Sequence, residues 1–419
     1  MTAAVSVIRE RAALARKASK VLANLSTATK DAALIRIAEL LESEPAELLA
    51  ANRADLDAGR TEGLDPYFLD RLKLNPAAVA ADTRTVANLP DPVGEVFDGR
   101  TLPNGLRISR RRVPLGVVAA IYEARPNVTV DMAVLALKSG NASVLRGGKE
   151  ARHTNGALGR IIQEALREAG VPGDAVQVVS DPDRAHVEEL LAAHDLIDLV
   201  VPRGGAALIE HVRRNATMPV VAHGEAVVQI YVDEYADLEM ALRIVDNAKT
   251  RRYSICNAVD TVLVHRGIAG EFLVRLGGLW GEKVTFIADD EAAAALGLGV
   301  SVQSATSETW TTEHLALRLG VRVVGSVDEA IAHIEEHGSH HSDAIVTENY
   351  THANRFVDEV DSAAVYVNAS TQFTDGAQFG LGAEVGISTQ KMHARGPMAL
   401  RELTSYKWTI FGEGQVRPL

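Results

Sequence analysis

The chain has 419 residues, of which 47% are hydrophobic and 23% charged, with a formal net charge of −12 and a single cysteine. Two or three globular domains fit this length, and the composition excludes a disordered or low-complexity chain. The acidic balance excludes a general nucleic-acid binder, which needs clustered Lys and Arg; one cysteine excludes an intramolecular disulfide framework and points to a reducing compartment.

Residues 3–60 read as three amphipathic helices, and charges at Arg9, Glu10, Arg11, Arg16 and Lys17 set them apart from a signal peptide. Ser43 is expected to cap the third, with Pro45 in its first turn and Gly59 past its end. After a break at Leu89–Pro92, residues Gly94–Arg112 read as a hairpin turning at Pro103-Asn104-Gly105. A lone hairpin is marginal in water, so this one is expected to project as an arm used in subunit contact.

From Pro114 the pattern changes. Short apolar runs at Val117–Tyr122, Ser143–Leu145, Val176–Val179 and Leu196–Val201 alternate with helical stretches at Asp131–Lys138, Ala151–Ala169 and Asp183–Ala193. That alternation means a doubly wound parallel sheet. A second one runs through Val227–Val232, Thr261–Val264, Arg322–Val324 and Ala363–Val367, predicting a second α/β domain. The tail Ser405–Ile410 reads as a strand suited to joining the hairpin. No apolar run approaches the ~20 residues of a membrane span, so no membrane contact and a cytoplasmic location are expected.

Standard nucleotide signatures fail. Gly380-Leu-Gly382-Ala-Glu-Val-Gly386 is too long for the dinucleotide fingerprint, and Gly277…Gly281-Glu-Lys283 misses the phosphate-loop spacing. His337, His340 and His341 read as a polar loop after a helix; no metal site is expected. Cys256 stands out at a junction between a helix ending near Lys249 and the strand Thr261–Val264. There a thiol can reach a cleft and be activated by backbone N–H groups and positive charge; the alternative is a small buried hydrophobe. Gly140–Lys149 ends in a Gly-rich turn with two cations, Arg146 and Lys149, suited to phosphate. Pro202-Arg203-Gly204-Gly205, opening the helix Ala206–Arg214, offers a second such place at a helix N-terminus. Each also reads as an ordinary strand-to-helix turn.

Several blocks carry a family resemblance. They are Tyr122-Glu-Ala-Arg-Pro-Asn-Val-Thr-Val-Asp131, Ser139-Gly-Asn-Ala, Asn247-Ala-Lys-Thr250, Cys256-Asn-Ala258, Asp361–Ser370, Phe379–Lys391 and His393-Ala-Arg-Gly-Pro397. Over essentially its full length the chain resembles the gamma-glutamyl phosphate reductases (glutamate-5-semialdehyde dehydrogenases) of the aldehyde dehydrogenase superfamily. The resemblance implies an α/β, aldehyde-dehydrogenase-like fold. A Rossmann-type cofactor domain is expected over 1–91 and 114–226, a catalytic domain over 227–402, and a β-hairpin oligomerisation arm over 92–113 and 403–419. It implies NADPH-dependent reduction of L-glutamyl 5-phosphate to glutamate 5-semialdehyde, a step of proline biosynthesis, through a Cys256 thioester. It further implies a homo-oligomer and raises a glutamate kinase as a partner.

Residue by residue, the resemblance makes Cys256 the nucleophile, with its own backbone N–H and either Arg125 or Asn127 as oxyanion donors. Arg146 and Lys149 match the segment that holds the adenosine ribose of NADP(H), and Arg203, Gly204 and Gly205 the pyrophosphate-side helix start. Glu384 matches the glutamate near the nicotinamide ribose. Arg395 is expected at the substrate α-carboxylate, with Asp375 facing its amino group.

The chain departs from the family at three places. After His223-Gly-Glu225, the family's Gly, Cys and His are Ala226, Val228 and Gln229; its Pro before the nucleophile is Tyr253; its Arg after Thr371 is Gln372. All three segments are expected to border the active site, where lost cations weaken the grip on an anionic substrate. The competing readings are a paralogue acting on a related acyl phosphate or aldehyde, a hydrolytic dehydrogenase using Glu225 as base, and a non-catalytic partner of a glutamate kinase.

Overall fold

A computed structural model describes residues 6–43, 45–221 and 226–417; His223, Gly224 and Glu225 lie outside them. The chain divides into two compact units. The first takes Met1–Ala222, Gly380–Gly386 and Met398–Leu419; the second takes His223–Phe379 and Ile387–Pro397.

In the first unit the helices Val7–Leu22, Thr27–Ser43 and Pro45–Thr61 form as their apolar spacing dictates. The expected boundaries shift. Ser43 is the last residue of the second helix and its hydroxyl donates back to Leu40 O, so it does not cap the third. Gly59 lies inside the third helix, where a Cβ would come within 3.0 Å of Leu64 and Leu69. Two further helices follow, Pro66–Leu72 and Pro76–Ala87, the latter capped by the Asn75 side chain.

The sheet of this unit has four parallel strands in the spatial order Val176–Val179, Ala142–Gly147, Val117–Tyr122, Leu199–Arg203. Val117–Tyr122 is buried throughout, as a parallel strand covered on both faces must be. On one face Ala12 and Ala15 of the first helix share a core with Val117, Ala119, Ile121 and Val144. The chain leaves Val117–Tyr122 towards one edge, then returns to pair Leu199–Arg203 on its other side. That reversal is a topological switch point, and ligands of open α/β sheets bind beyond the carboxyl ends of strands at such points.

The hairpin forms from Val96–Thr101 and Arg107–Pro114, antiparallel, and the tail Thr404–Phe411 pairs along Arg107–Pro114. Gly105 turns it at φ +83°, and the Leu102 N–H donates to Leu106 O at 2.8 Å. Arg110 stacks on Tyr406 and Trp408, 4.6 and 4.8 Å from their ring centroids.

The second unit is a seven-stranded parallel sheet in the order Ser301–Ser304, Thr285–Ala288, Arg318–Val324, Thr261–His265, Gln229–Val232, Ser342–Val346, Ala364–Val367. Its strands alternate between two cores. Ile230, Val232, Val262 and Val264 pack with the helices Leu238–Thr250 and Arg266–Trp280. Tyr231, Leu263 and Ile345 pack with Val327–His337 and Tyr350–Glu359. Among the described residues no helix is long and apolar enough to cross a membrane.

Candidate active site

Cys256 sits, half-buried, on an irregular loop between the helix Leu238–Thr250 and the strand Thr261–His265. The loop is tied at both ends to one short helical turn, Thr371–Phe373. Downstream of Cys256, Asn257 donates its side-chain amide to Gln372 O and Thr374 O at 3.2 and 3.0 Å, and Asn257 O accepts from the Thr371 hydroxyl at 2.8 Å. Upstream, the Gln372 side-chain amide donates to Ala248 O and Arg252 O at 2.9 and 3.1 Å. Its carbonyl oxygen accepts from Arg251 Nε at 2.5 Å. A loop so fixed holds the thiol in one place, the preorganisation that a covalent nucleophile would require.

Behind the loop lies a buried ion pair, Lys249 with Asp260 at 3.9 Å. Lys249 also donates to Val259 O, while Asp260 accepts from the backbone of Val228 and His314. Burial pulls the Lys249 ammonium down and pushes the Asp260 carboxyl up. The pair braces the backbone on either side of the Cys256 loop.

The three departures separate here. Gln372 is the brace just described, and Tyr253 is an exposed residue of the loop itself. Gln229 corrects the expectation: it is wholly buried and its carbonyl meets His333 Nδ1 at 2.8 Å, inside the unit. Strand alternation turns position 229 into the core, so it adds no charge to a substrate site. The cation missing at 372 is matched by one at 251, drawn against the same side chain.

Arg395 makes two bonds to Asp361, to Oδ1 at 2.8 Å and to the backbone oxygen at 2.7 Å, and Lys391 binds the other carboxylate oxygen. Hydrogen bonds from Lys391 and then Arg395 hold the Asp361 carboxyl down to about 2. Asp375 accepts from the Ala377 and Gln378 N–H groups and so caps the turn that follows Thr374. No hydrogen bond joins Arg395 to Asp375 among the described residues.

In the first unit, the carboxyl end of Val117–Tyr122 leads into Glu123, Ala124 at φ +40°, and then the helix Asn127–Lys138. Arg125 is half-buried and Asn127 exposed, Asn127 donating to Asp131 at 3.2 Å. The Arg146 guanidinium donates to Pro182 O at 3.1 Å, and its buried Nε has no hydrogen-bond partner among the described residues. Lys149 is exposed and paired with Glu62. At the start of the helix Ala206–Asn215, the Gly205 N–H donates to Glu123 at 3.0 Å, so a carboxylate already sits at this helix N-terminus. A Cβ on Gly204 would fall 2.6 Å from the same carboxylate. The segment carrying Glu384 packs on Arg203: a Cβ at Gly386 would come within 2.8 Å of its guanidinium. Arg146, Arg203 and the Glu384 segment thus belong to one unit, at the sheet end where a dinucleotide fits. The orphaned donor on Arg146 suits an anionic ligand there.

His337, His340 and His341 do not converge. His337 ends a helix, His340 meets Asp361 O, and His341 is buried beside Ser342. Sequence reasoning did not single out Asp233, Glu234 and His352, whose potential ligand atoms lie within 4.8 Å of one another. Asp233 there accepts from Tyr231, Thr347 and His352, the pattern of a satisfied buried carboxylate.

The sequence profile of the aldehyde dehydrogenase family matches residues 2–307. The chain is 53% identical to the gamma-glutamyl phosphate reductase of Dehalococcoides mccartyi (strain CBDB1), with all of both chains covered. It is 54% identical to that of Roseiflexus castenholzii, covering 98% of this chain and 99% of the relative. The crystal structure of the Thermotoga maritima gamma-glutamyl phosphate reductase superposes with a TM-score of 0.96 at 46% identity, covering 99% of this chain and 100% of that one. An acetylating aldehyde dehydrogenase from Geobacillus thermoglucosidasius shares the fold, with a TM-score of 0.72 at 19% identity.

Proposed function

We propose, starting from the fact that this chain belongs to the aldehyde dehydrogenase family and within it to the gamma-glutamyl phosphate reductases, that it reduces L-glutamyl 5-phosphate to L-glutamate 5-semialdehyde with NADPH, releasing phosphate, as a step of proline biosynthesis. It is an oxidoreductase acting on an acyl phosphate. The observation that carries the reading is Cys256, the chain's single cysteine, on a loop clamped on both sides.

The Cys256 thiolate attacks the acyl carbon; the carbon–oxygen bond to phosphate breaks and phosphate departs, leaving a thioester on Sγ. The reduced nicotinamide, when bound, supplies a hydride to that carbonyl carbon. The resulting thiohemiacetal collapses, freeing the aldehyde and restoring the thiol. Both tetrahedral stages carry an oxyanion, for which the Cys256 N–H and either Arg125 or Asn127 serve as donors. Arg146, Lys149, Arg203, Gly204, Gly205 and Glu384 would hold the cofactor, with Arg146 at the 2′-phosphate. Because Glu123 occupies the Gly205 N–H, pyrophosphate binding there requires that carboxylate to turn away. Arg395 and Asp375 are the substrate's carboxylate and amino partners in this reading, Arg395 exchanging Asp361 for the substrate. Residues 92–113 and 403–419 form the contact of a homo-oligomer.

The test is NADP reduction by glutamate 5-semialdehyde, with and without phosphate, in the parent and in Cys256→Ala. Phosphate-dependent reduction that disappears in the variant is expected. A folded, cofactor-binding parent without such activity, or activity indifferent to phosphate, overturns the reading.

A further inference from the structure

We propose that Arg251, oriented by Gln372, is the cation that receives the phosphoryl group of the acyl phosphate; the inference rests on the reaction proposed above. Arg251 is the first residue beyond the helix Leu238–Thr250, on the same clamped loop as Cys256. Its Nε donates to Gln372 Oε1 at 2.5 Å. The Gln372 amide cannot turn over, because its NH₂ already faces two carbonyls, Ala248 O and Arg252 O. The oxygen is therefore the only end it can offer the guanidinium.

What the glutamine leaves undone matters as much. A neutral amide orients a guanidinium without cancelling its charge. Four other arginines of this unit are matched by carboxylates: Arg266 by Glu291, Arg275 by Glu239, Arg355 by Asp328 and Glu359, Arg395 by Asp361. Among the described residues neither Arg251 nor Arg252 makes an ion pair, and both are exposed. With Nε committed, the two Nη groups of Arg251 are the fork that remains, the geometry that binds phosphate bidentately.

The loop geometry draws this cation towards the Cys256 end of the loop. Arg251, upstream of Cys256, and Asn257, next after it, are both bonded to Gln372, one to its side chain and one to its backbone oxygen, so the two ends of the loop meet at one residue. When Sγ bonds to the acyl carbon, the carbon–oxygen bond to phosphate breaks and its electron pair leaves with the phosphate. A guanidinium beside that group offsets the charge it gains. In the reverse direction the same cation holds inorganic phosphate for attack on the thioester.

The experiment reads alkylation of Cys256 by iodoacetamide under increasing inorganic phosphate, without semialdehyde or cofactor. It compares the parent with Arg251→Met, Arg251→Lys, Gln372→Leu and Gln372→Glu, each checked for folding by circular dichroism. Phosphate should protect the parent. The half-protecting concentration should rise about tenfold or more in Arg251→Met and Gln372→Glu, the loss of a charge-assisted hydrogen bond, with Arg251→Lys in between. In semialdehyde oxidation the KM for phosphate should rise alike, while the KM for semialdehyde moves less than about twofold. An unprotected parent, undiminished protection in Arg251→Met, or a parallel rise of both KM values overturns the assignment. Protection lost in Arg251→Met, in a parent that does not oxidise glutamate 5-semialdehyde, upholds the phosphate site and rejects only the substrate proposed above.

Discussion

Asn127 donates its side-chain amide to the Asp131 carboxylate at 3.2 Å, one turn further along the same helix. Burial, and then Asp82, push the Asp131 carboxyl up to about 7, against the pull of Arg203 and Asn127 itself. Above that value the acceptor is a carboxylate and holds Asn127 firmly; below it, a neutral acid holds it less well. If Asn127 is the oxyanion donor, kcat should rise with pH through about 7 in the parent. Asp131→Asn should remove that inflection and lower kcat by about tenfold, at nearly unchanged cofactor KM. A pH profile in Asp131→Asn that still inflects near 7 would assign the donor's role elsewhere.

A second titration concerns stability. Asp343 is wholly buried, accepting from the Gln229 N–H at 3.0 Å and the Ser362 hydroxyl at 2.5 Å, and burial raises its carboxyl to about 7. The folded chain binds this proton more tightly than the unfolded one, whose value is the ordinary 3.8. This group's contribution therefore falls as pH rises from 3.8 towards 7 and stays low above it. Asp343→Asn keeps the shape and cannot ionise. Urea unfolding at pH 5 and pH 8 should show the gap between the two narrowed by about 1–3 kcal/mol, and an unaltered gap would mean the carboxyl titrates normally.

Arg146 bears on cofactor choice. Its guanidinium is held at Pro182 O, with Nε buried and unpartnered among the described residues. Arg146→Ala should raise the KM for NADPH about tenfold or more and leave that for NADH nearly unchanged, since only the former carries a 2′-phosphate. Equal effects on both cofactors would make Arg146 a structural residue of its turn.

The arm makes a separate prediction. Ile410 and Phe411 are each 61% exposed at the end of the tail strand, while Arg110 is stacked between Tyr406 and Trp408 on the arm. Exposed apolar side chains on a three-stranded sheet mark an association surface. Ile410→Arg with Phe411→Arg should shift the chain from oligomer to monomer in light scattering, with little change in its circular dichroism. Retention of the oligomer would move the contact off this strand.

Much of this architecture was legible because periodicity reports burial. Val117–Tyr122 is an uninterrupted apolar run and Val176–Val179 is broken only by Gln177, and both are buried strands. Ser301–Ser304 was missed: it is an edge strand in which three of four residues are polar. Ser342–Val346 was missed because it opens on Ser-Asp, two polar residues that the interior satisfies through Thr374, Ser362 and Gln229. The place of Cys256, at a junction between helix and strand, was legible. The Gln372 clamp was not, since it reaches back 115 residues to Asn257 and further to Ala248. Local pattern cannot encode such a contact, and for the same reason a substitution at 372 reads as a lost charge until Arg251 is seen beside it.

The tail strand has a consequence for how the chain is made. Ser109 and Thr409 share a hydrogen bond across 300 residues of sequence. At about 5–20 residues per second, a ribosome exposes the strand Arg107–Pro114 roughly 15–60 s before its partner exists. During that interval one edge of the hairpin stays open to any neighbouring strand, including the same hairpin on another nascent chain. Four arginines at positions 107 and 110–112 lie along that waiting edge, two of them paired with Asp98 and Glu95 of the same hairpin, and edge charge of this kind works against pairing with a second hairpin until each chain's own last residues arrive.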